Sequence, residues 1–180
     1  MNGGAAPDWP RDIFDALAVL EVRQVAYVPD AGHKELLVRC AAARALRMVV
    51  LTTEEEGIAL LAGAWLGGER GVLLMQSSGI GNCLNIFSLA RVCRFPLLLL
   101  VTMRGEAGEF NPWQLPMGEN AGELLRLAGL RVTRVDEAEQ VGPAVAAAGR
   151  TAFAEPAGAE PAGAAVLIAQ RLVGVKSFDH

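Results

Sequence analysis

Short, almost wholly apolar runs separated by amphipathic stretches organise this chain, and they leave few folds open. Gln24 to Val28, Met48 to Leu51, Gly71 to Met75 and Pro96 to Val101 are such runs. A strand that is apolar along its length must be covered on both faces. Helical spacing follows the first three runs, from about Gly32 to Arg44, Glu54 to Leu66 and Gly79 to Arg91. Strands alternating with helices imply parallel pairing through right-handed crossovers. The pattern therefore predicts an α/β fold: one domain, with a mostly parallel sheet of about six strands and helices on both faces. Further helices are expected from Glu119 to Ala128 and, capped by Asp136, up to about Ala154, with strands at Arg131 to Arg134 and Ala165 to Ala169. Met103 to Gly118 holds three glycines and two prolines and is expected to be a long loop, a kind that is usually functional when it sits in a compact domain.

Composition narrows the function classes. At 180 residues the chain can bury a core without metal or disulfide staples. With 52% hydrophobic and 20% charged residues it is globular rather than disordered. Twenty acidic residues against 16 basic, with no basic stripe, exclude nucleic acid as a partner class. The longest apolar run is far shorter than the ~20 residues a bilayer span needs, and Met1 to Pro10 has no signal-peptide pattern. A soluble, cytoplasmic protein with no membrane partner is expected. Cys40, Cys83 and Cys93 have no metal-ligand spacing and are expected to be buried free thiols in a reducing compartment. The domain is expected over residues 10–170, with a flexible N-terminus over 1–9 and a tail over 171–180. Residues 155–164, which repeat Glu-Pro-Ala-Gly-Ala, are expected to be a flexible connection.

Ligands of open α/β sheets bind beyond the carboxyl ends of the strands, so the chemistry belongs in the strand-to-helix turns. Thr52-Thr53-Glu54-Glu55-Glu56-Gly57 puts three acids where a helix begins. The helix dipole favours acids there, and Thr53 with Glu56 has capping-box spacing. The helix that follows is rich in small residues, which permit close approach to its face. Here the sequence resembles the pyrimidine domain of thiamine-diphosphate enzymes. Those carry a Glu at this turn, a small residue two on, an Ala seven on and an aromatic ten on. Counted from Glu55, these positions are Gly57, Ala62 and Trp65. The resemblance thus names Glu55 as the catalytic carboxyl. It would hydrogen-bond N1′ of the aminopyrimidine and favour the imino form that takes the C2 proton of the thiazolium.

Gln76-Ser77-Ser78-Gly79-Ile80-Gly81-Asn82-Cys83-Leu84-Asn85 follows the third strand. Alone it is weak: it has neither the third Gly of a dinucleotide fingerprint nor the Gly-Lys-Ser/Thr ending of a P-loop, and a tight turn can need Gly for backbone reasons. It departs from the common Ser-Gly-Pro-Gly form, with Ile80 in place of Pro. It is similar instead to the turn of sulfopyruvate and phosphonopyruvate decarboxylases, which share a Gln, Ser-Gly-x-Gly-Asn and a second Asn three residues later. The resemblance implies cofactor contacts from Ser78, Gly79, Ile80, Gly81 and Asn82, and substrate contacts from Gln76 and Asn82.

Val28-Pro29-Asp30-Ala31-Gly32-His33-Lys34 ends the first strand, and the family has a similar turn facing the reaction centre. His33 is expected to be either a solvated or capping residue, or a catalytic and substrate-binding one. Asp30 is expected to bind substrate or carry a proton, or to hold the turn. Arg104-Gly105-Glu106 also matches those decarboxylases. Arg104 is the substrate-binding candidate for an oxyanion, against a plain surface pairing with Glu106. Gln114 to Glu119 is similar to the family and is expected at the same entrance.

The chain has no Gly-Asp-Gly and no Asp/Asn cluster fit for magnesium. The resemblance therefore covers only the pyrimidine half, from Ile13 to Ala169. It implies a small anionic 2-oxo acid as substrate and thiamine diphosphate with Mg2+ as cofactors. The metal ligands would come from a separate diphosphate-binding beta subunit, in an alpha2beta2 or larger assembly. Three alternatives stand beside this: a regulatory or scaffolding module, a thiamine-dependent carboligase subunit, and a stand-alone nucleotide-binding domain.

Overall fold

The apolar runs assemble edge to edge into one sheet. In the computed structural model, which describes residues 7–154 and 163–173, its strands are β1 (Val22–Tyr27), β2 (Arg47–Val50), β3 (Arg70–Gln76), β4 (Leu97–Thr102), β5 (Arg131–Val135) and β6 (Gly163–Ile168). The order is β2-β1-β3-β4-β6-β5 and every pairing is parallel. β4 and β6 lie inside the sheet and are buried along their whole length, whereas the edge strands β2 and β5 are largely exposed or half-buried. Alternate side chains of β4 serve opposite cores, because successive residues of a strand face opposite ways. Leu98 and Leu100 pack with α1 (Trp9–Val19), α2 (Lys34–Ala42) and α7 (Ala138–Ala152). Leu97, Leu99 and Val101 pack with α3 (Glu54–Leu66), α5 (Phe87–Cys93) and α6 (Leu115–Leu127). The α/β class and its single parallel sheet are as the sequence predicts.

Several details differ from the expectation. Trp9, expected in a flexible N-terminus, begins α1, and the Asp8 side chain caps that helix by accepting from the Arg11 amide. Ile13, Ala16 and Leu17 are its buried face. The helix expected from Gly79 to Arg91 is broken into α4 (Ile80–Cys83) and α5. At the break the Ser88 hydroxyl donates to the Asn85 carbonyl at 2.7 Å, a local bond that competes with helix continuation. The long loop ends early, because a turn at Pro112–Gln114 leads straight into α6. Pro116 is tolerated in its first turn, where no amide donor is needed. Asp136 does not cap α7; it takes the guanidinium of Arg134. Cys40 and Cys83 are buried, but Cys93 is exposed, at the last position of α5 just before the left-handed Arg94. β6 takes in Gly163 and Ala164, and the short helix α8 (Gln170–Val173) follows it. The remaining residues of the expected flexible segments, 1–6, 155–162 and 174–180, lie outside the described residues. Among the described residues no helix is long and apolar enough to cross a membrane.

Candidate active site

The parallel sheet brings four turns to one edge: those after β1, β2, β3 and β4. At the turn after β2 the phase of α3 decides which acid faces inward. Glu54, Gly57, Ile58, Leu61 and Ala64 form its buried stripe, at helical spacing. Glu54 is 5% exposed, whereas Glu55 and Glu56 point outward. Glu55, the residue that the sequence register selects, is exposed beside the turn after β3, where its charge acts on Cys83, whereas its neighbour Glu54 is buried against that turn. Gly57, on which the register from Glu55 relies, is also small for packing. A Cβ there would stand 2.6 Å from a Leu73 methyl, so it serves helix-to-sheet packing. Glu56 Oε2 accepts from the Thr52 amide at 2.9 Å, and the Thr53 side chain makes no cap bond, so the expected capping box is shifted by one residue.

Glu54 lies against the glycine turn. Asn82 Nδ2 donates to Glu54 Oε2 at 2.8 Å, while Oε1 has no partner among the described residues. A Cβ on Gly79 would stand 2.4 Å from the Glu54 carboxyl carbon and from Oε1. The φ of Gly79 is −68°, a value open to any residue. Gly79 is required by close approach, not by backbone conformation. The obstructing atoms belong to a buried carboxyl held by Asn82, so Gly79→Ala is expected to cost about 1–3 kcal/mol. Activity should fall roughly 100-fold, because a displacement of about 1 Å beside a reacting group is enough for that. Equal activity in a folded Gly79→Ala protein would remove this turn from the site.

The other turn residues separate. Ser78 is half-buried, and Gly81 and Asn82 are open to solvent. Ile80 is fully buried in the core beneath the turn, and its side chain is a support rather than a surface contact. Gln76 is half-buried at the end of β3, with no side-chain bond among the described residues. Ser77, not singled out in the sequence, is the polar clasp: its hydroxyl accepts from the Arg104 amide at 3.0 Å and donates to the Arg104 carbonyl at 3.3 Å. Burial and the nearby charges of Glu54 and Glu55 push the Cys83 thiol up to about 12, so it is no nucleophile near neutral pH.

His33 is neither solvated nor open at the mouth. It is 1% exposed, and its Nε2 donates to the Leu100 carbonyl at 3.1 Å, which fixes the tautomer because a carbonyl only accepts. Nδ1 is buried without a partner among the described residues. Burial lowers the His33 pKa, partly offset by the charge of Asp30, so the ring is neutral near neutral pH. Asp30 is half-buried and accepts from the buried Thr102 hydroxyl.

Arg104 does not pair with Glu106. Its Nε and Nη2 are held by Glu109 at 2.8 and 2.7 Å, leaving Nη1 without a partner among the described residues. The Glu109 side chain is 1% exposed and also accepts from the Gly105 and Asn111 amides and from Gln170 Nε2. Those bonds, Arg104 first, hold its carboxyl far below the usual range. Glu106 turns instead to Arg134 and to the Gln170 amide. The loop after β4 is thereby tied to β5 and α8. Its two ends cross at glycines, since a Cβ on Gly118 would stand 2.2 Å from the Arg104 carbonyl oxygen. Gln114 is buried beneath this crossing, and Met117 reaches the glycine turn, 3.1 Å from where a Gly81 Cβ would be.

Comparison with known proteins bears on the same half of the chain. Residues 10–113 match the family described as thiamine pyrophosphate enzyme, N-terminal TPP binding domain. The alpha subunit of sulfopyruvate decarboxylase from Methanococcus maripaludis is 38% identical over 114 residues, 63% of this chain and 68% of that one. Phosphonopyruvate decarboxylase from Streptomyces viridochromogenes is 38% identical over 121 residues, 66% of this chain but only 30% of that longer protein. Among solved structures, the 2-oxoglutarate:ferredoxin oxidoreductase of Magnetococcus marinus superposes with a TM-score of 0.68 at 11% identity. The superposition covers 92% of this chain and 29% of that one, and it speaks for the fold alone.

Proposed function

Because this chain belongs to the thiamine pyrophosphate enzymes as their N-terminal TPP-binding domain, we propose that it is the pyrimidine-binding subunit of a 2-oxo-acid decarboxylase. Its substrate would be short and anionic, such as sulfopyruvate or phosphonopyruvate, in keeping with the names of its relatives. The observation that carries the reading is the pair of acids that opens α3: Glu54 is buried against the Gly79 turn and held by Asn82, and Glu55 stands exposed beside the same turn at the position the family register selects.

An aminopyrimidine edge could meet the exposed Glu55 carboxyl, whereas the space over Gly79 is filled by the buried Glu54 carboxyl itself. When bound, thiamine diphosphate supplies the nucleophilic carbon and the electron sink for loss of carbon dioxide. Glu55 would hold and exchange the proton at the ring nitrogen once the partner chain covers it and excludes bulk water. Asn82 and the bare Gly79 hold Glu54 in place beside it. Asp30 stands on the substrate side as a second acid. Arg104 stays cationic beside Glu109 and offers Nη1 to the sulfonate or phosphonate end. Gln76, at the end of β3, would bind the substrate's carboxylate or carbonyl.

Relatives named as an alpha subunit imply a partner subunit. In this reading the partner is a separate chain that binds the diphosphate through Mg2+, assembled as alpha2beta2 or larger. Loss of carbon dioxide from sulfopyruvate and phosphonopyruvate, measured for each chain alone and for the two co-expressed, tests the proposal. Turnover that needs thiamine diphosphate and both chains is the expected result. Carbon–carbon joining with no free aldehyde would move the assignment to a carboligase, and turnover by this chain alone would refute the divided site.

A further inference from the structure

Thr102 closes a buried, otherwise apolar strand. Val101 and Met103 flank it, and all three are essentially inaccessible. A valine would fill the same space, so a hydroxyl here calls for a reason. Its Oγ1 donates to Asp30 Oδ2 and also lies 3.4 Å from the Met75 carbonyl. One proton serves one acceptor, and the charged one makes the stronger bond.

The strand order makes this bond informative. Asp30 follows β1, Thr102 ends β4, and β3 lies between them. The Asp30 carboxylate must lean across the exit of β3 to meet Thr102, directly above the start of the turn that carries Gly79. Gly32 makes room for the pair: a Cβ there would stand 2.7 Å from Thr102 Cγ2 and 2.9 Å from Asp30 Oδ2. In this position the charge of Asp30 also reaches His33 and Arg104.

We propose that Thr102 is a positioning residue that holds the Asp30 carboxylate over the exit of β3, on the edge that carries the proposed site. The proposal rests on the decarboxylase reading for its consequence, and on geometry alone for the bond. Thr102 acts through Asp30 and need not touch substrate. Its hydroxyl keeps Oδ2 occupied and leaves Oδ1 without a partner among the described residues.

The test compares wild type, Thr102→Val, Thr102→Ser, Asp30→Asn and the Asp30→Asn/Thr102→Val double variant, each assembled with the partner chain. Thr102→Val is expected to lower kcat about tenfold with KM for thiamine diphosphate unchanged, and Thr102→Ser to restore it. The double variant should be no slower than Asp30→Asn, because the two side chains act as a unit. Wild-type kcat in Thr102→Val, or losses that multiply in the double variant, would overturn the proposal. Urea unfolding of the same proteins reads the bond without any turnover. Midpoint shifts that fail to add support it, and additive shifts overturn it even if no 2-oxo acid is turned over. Absence of wild-type turnover alone would count against the decarboxylase reading, not against the bond.

Discussion

Glu55→Gln is expected to lower decarboxylation by about 10²–10⁴-fold, while Glu54→Gln acts on stability rather than on turnover. The glutamine at 55 keeps the size of the side chain but cannot exchange a proton. Steady-state kinetics of the assembled enzyme, with cofactor binding measured in parallel, checks this. Retained cofactor binding with lost kcat is the expected signature of a proton-transfer group. If Glu54→Gln abolishes turnover in a folded protein and Glu55→Gln does not, the register counted from Gly57, Ala62 and Trp65 fails and the buried acid held by Asn82 is the proton-transfer group.

Glu109→Gln is expected to destabilise the protein by about 2–4 kcal/mol at neutral pH, because it strips the counter-charge from Arg104 in a mostly buried pair. The pH dependence carries the sharper signature. The Glu109 pKa lies well below its ordinary 4.5 in the folded chain, chiefly through Arg104. A carboxyl depressed by folding contributes stability above its unfolded pKa and loses it as pH falls toward the folded value. Wild type should therefore weaken progressively below about pH 4.5, and Glu109→Gln should weaken less steeply over that range. Urea unfolding from pH 7 down to pH 3 gives both slopes; parallel curves would show that this carboxylate does not anchor the loop. Loosening the loop should also raise KM for the anionic substrate, since Arg104 would lose the partner that aims it.

The burial of Glu54 was legible in the sequence, because positions 54, 57, 58 and 61 share one face at helical spacing and put that acid on an apolar stripe. The packing of Leu73 against Gly57 was not, because it depends on how α3 lies on the sheet. Helix α1 was likewise readable, in the spacing of Ile13, Ala16, Leu17 and Leu20. Glu109 and Ser77 were not, because nothing local distinguishes them from solvated loop residues. Their partners lie far along the chain, as with Gln170.

The sequence by itself determined the layered α/β architecture, because strands apolar on both faces and separated by helices have essentially one way to be covered. It also determined which four turns share an edge, since parallel strands put all their exits on the same side. Only the tertiary structure decided which polar groups meet there. Helix phase relative to the sheet turned Glu54 inward and Glu55 outward. Strand order carried Asp30 across β3 to Thr102, and α8 brought Gln170 to Glu109. Periodicity is a property of neighbouring residues, whereas a hydrogen bond between residues 61 or 72 positions apart exists only once the chain has closed on itself.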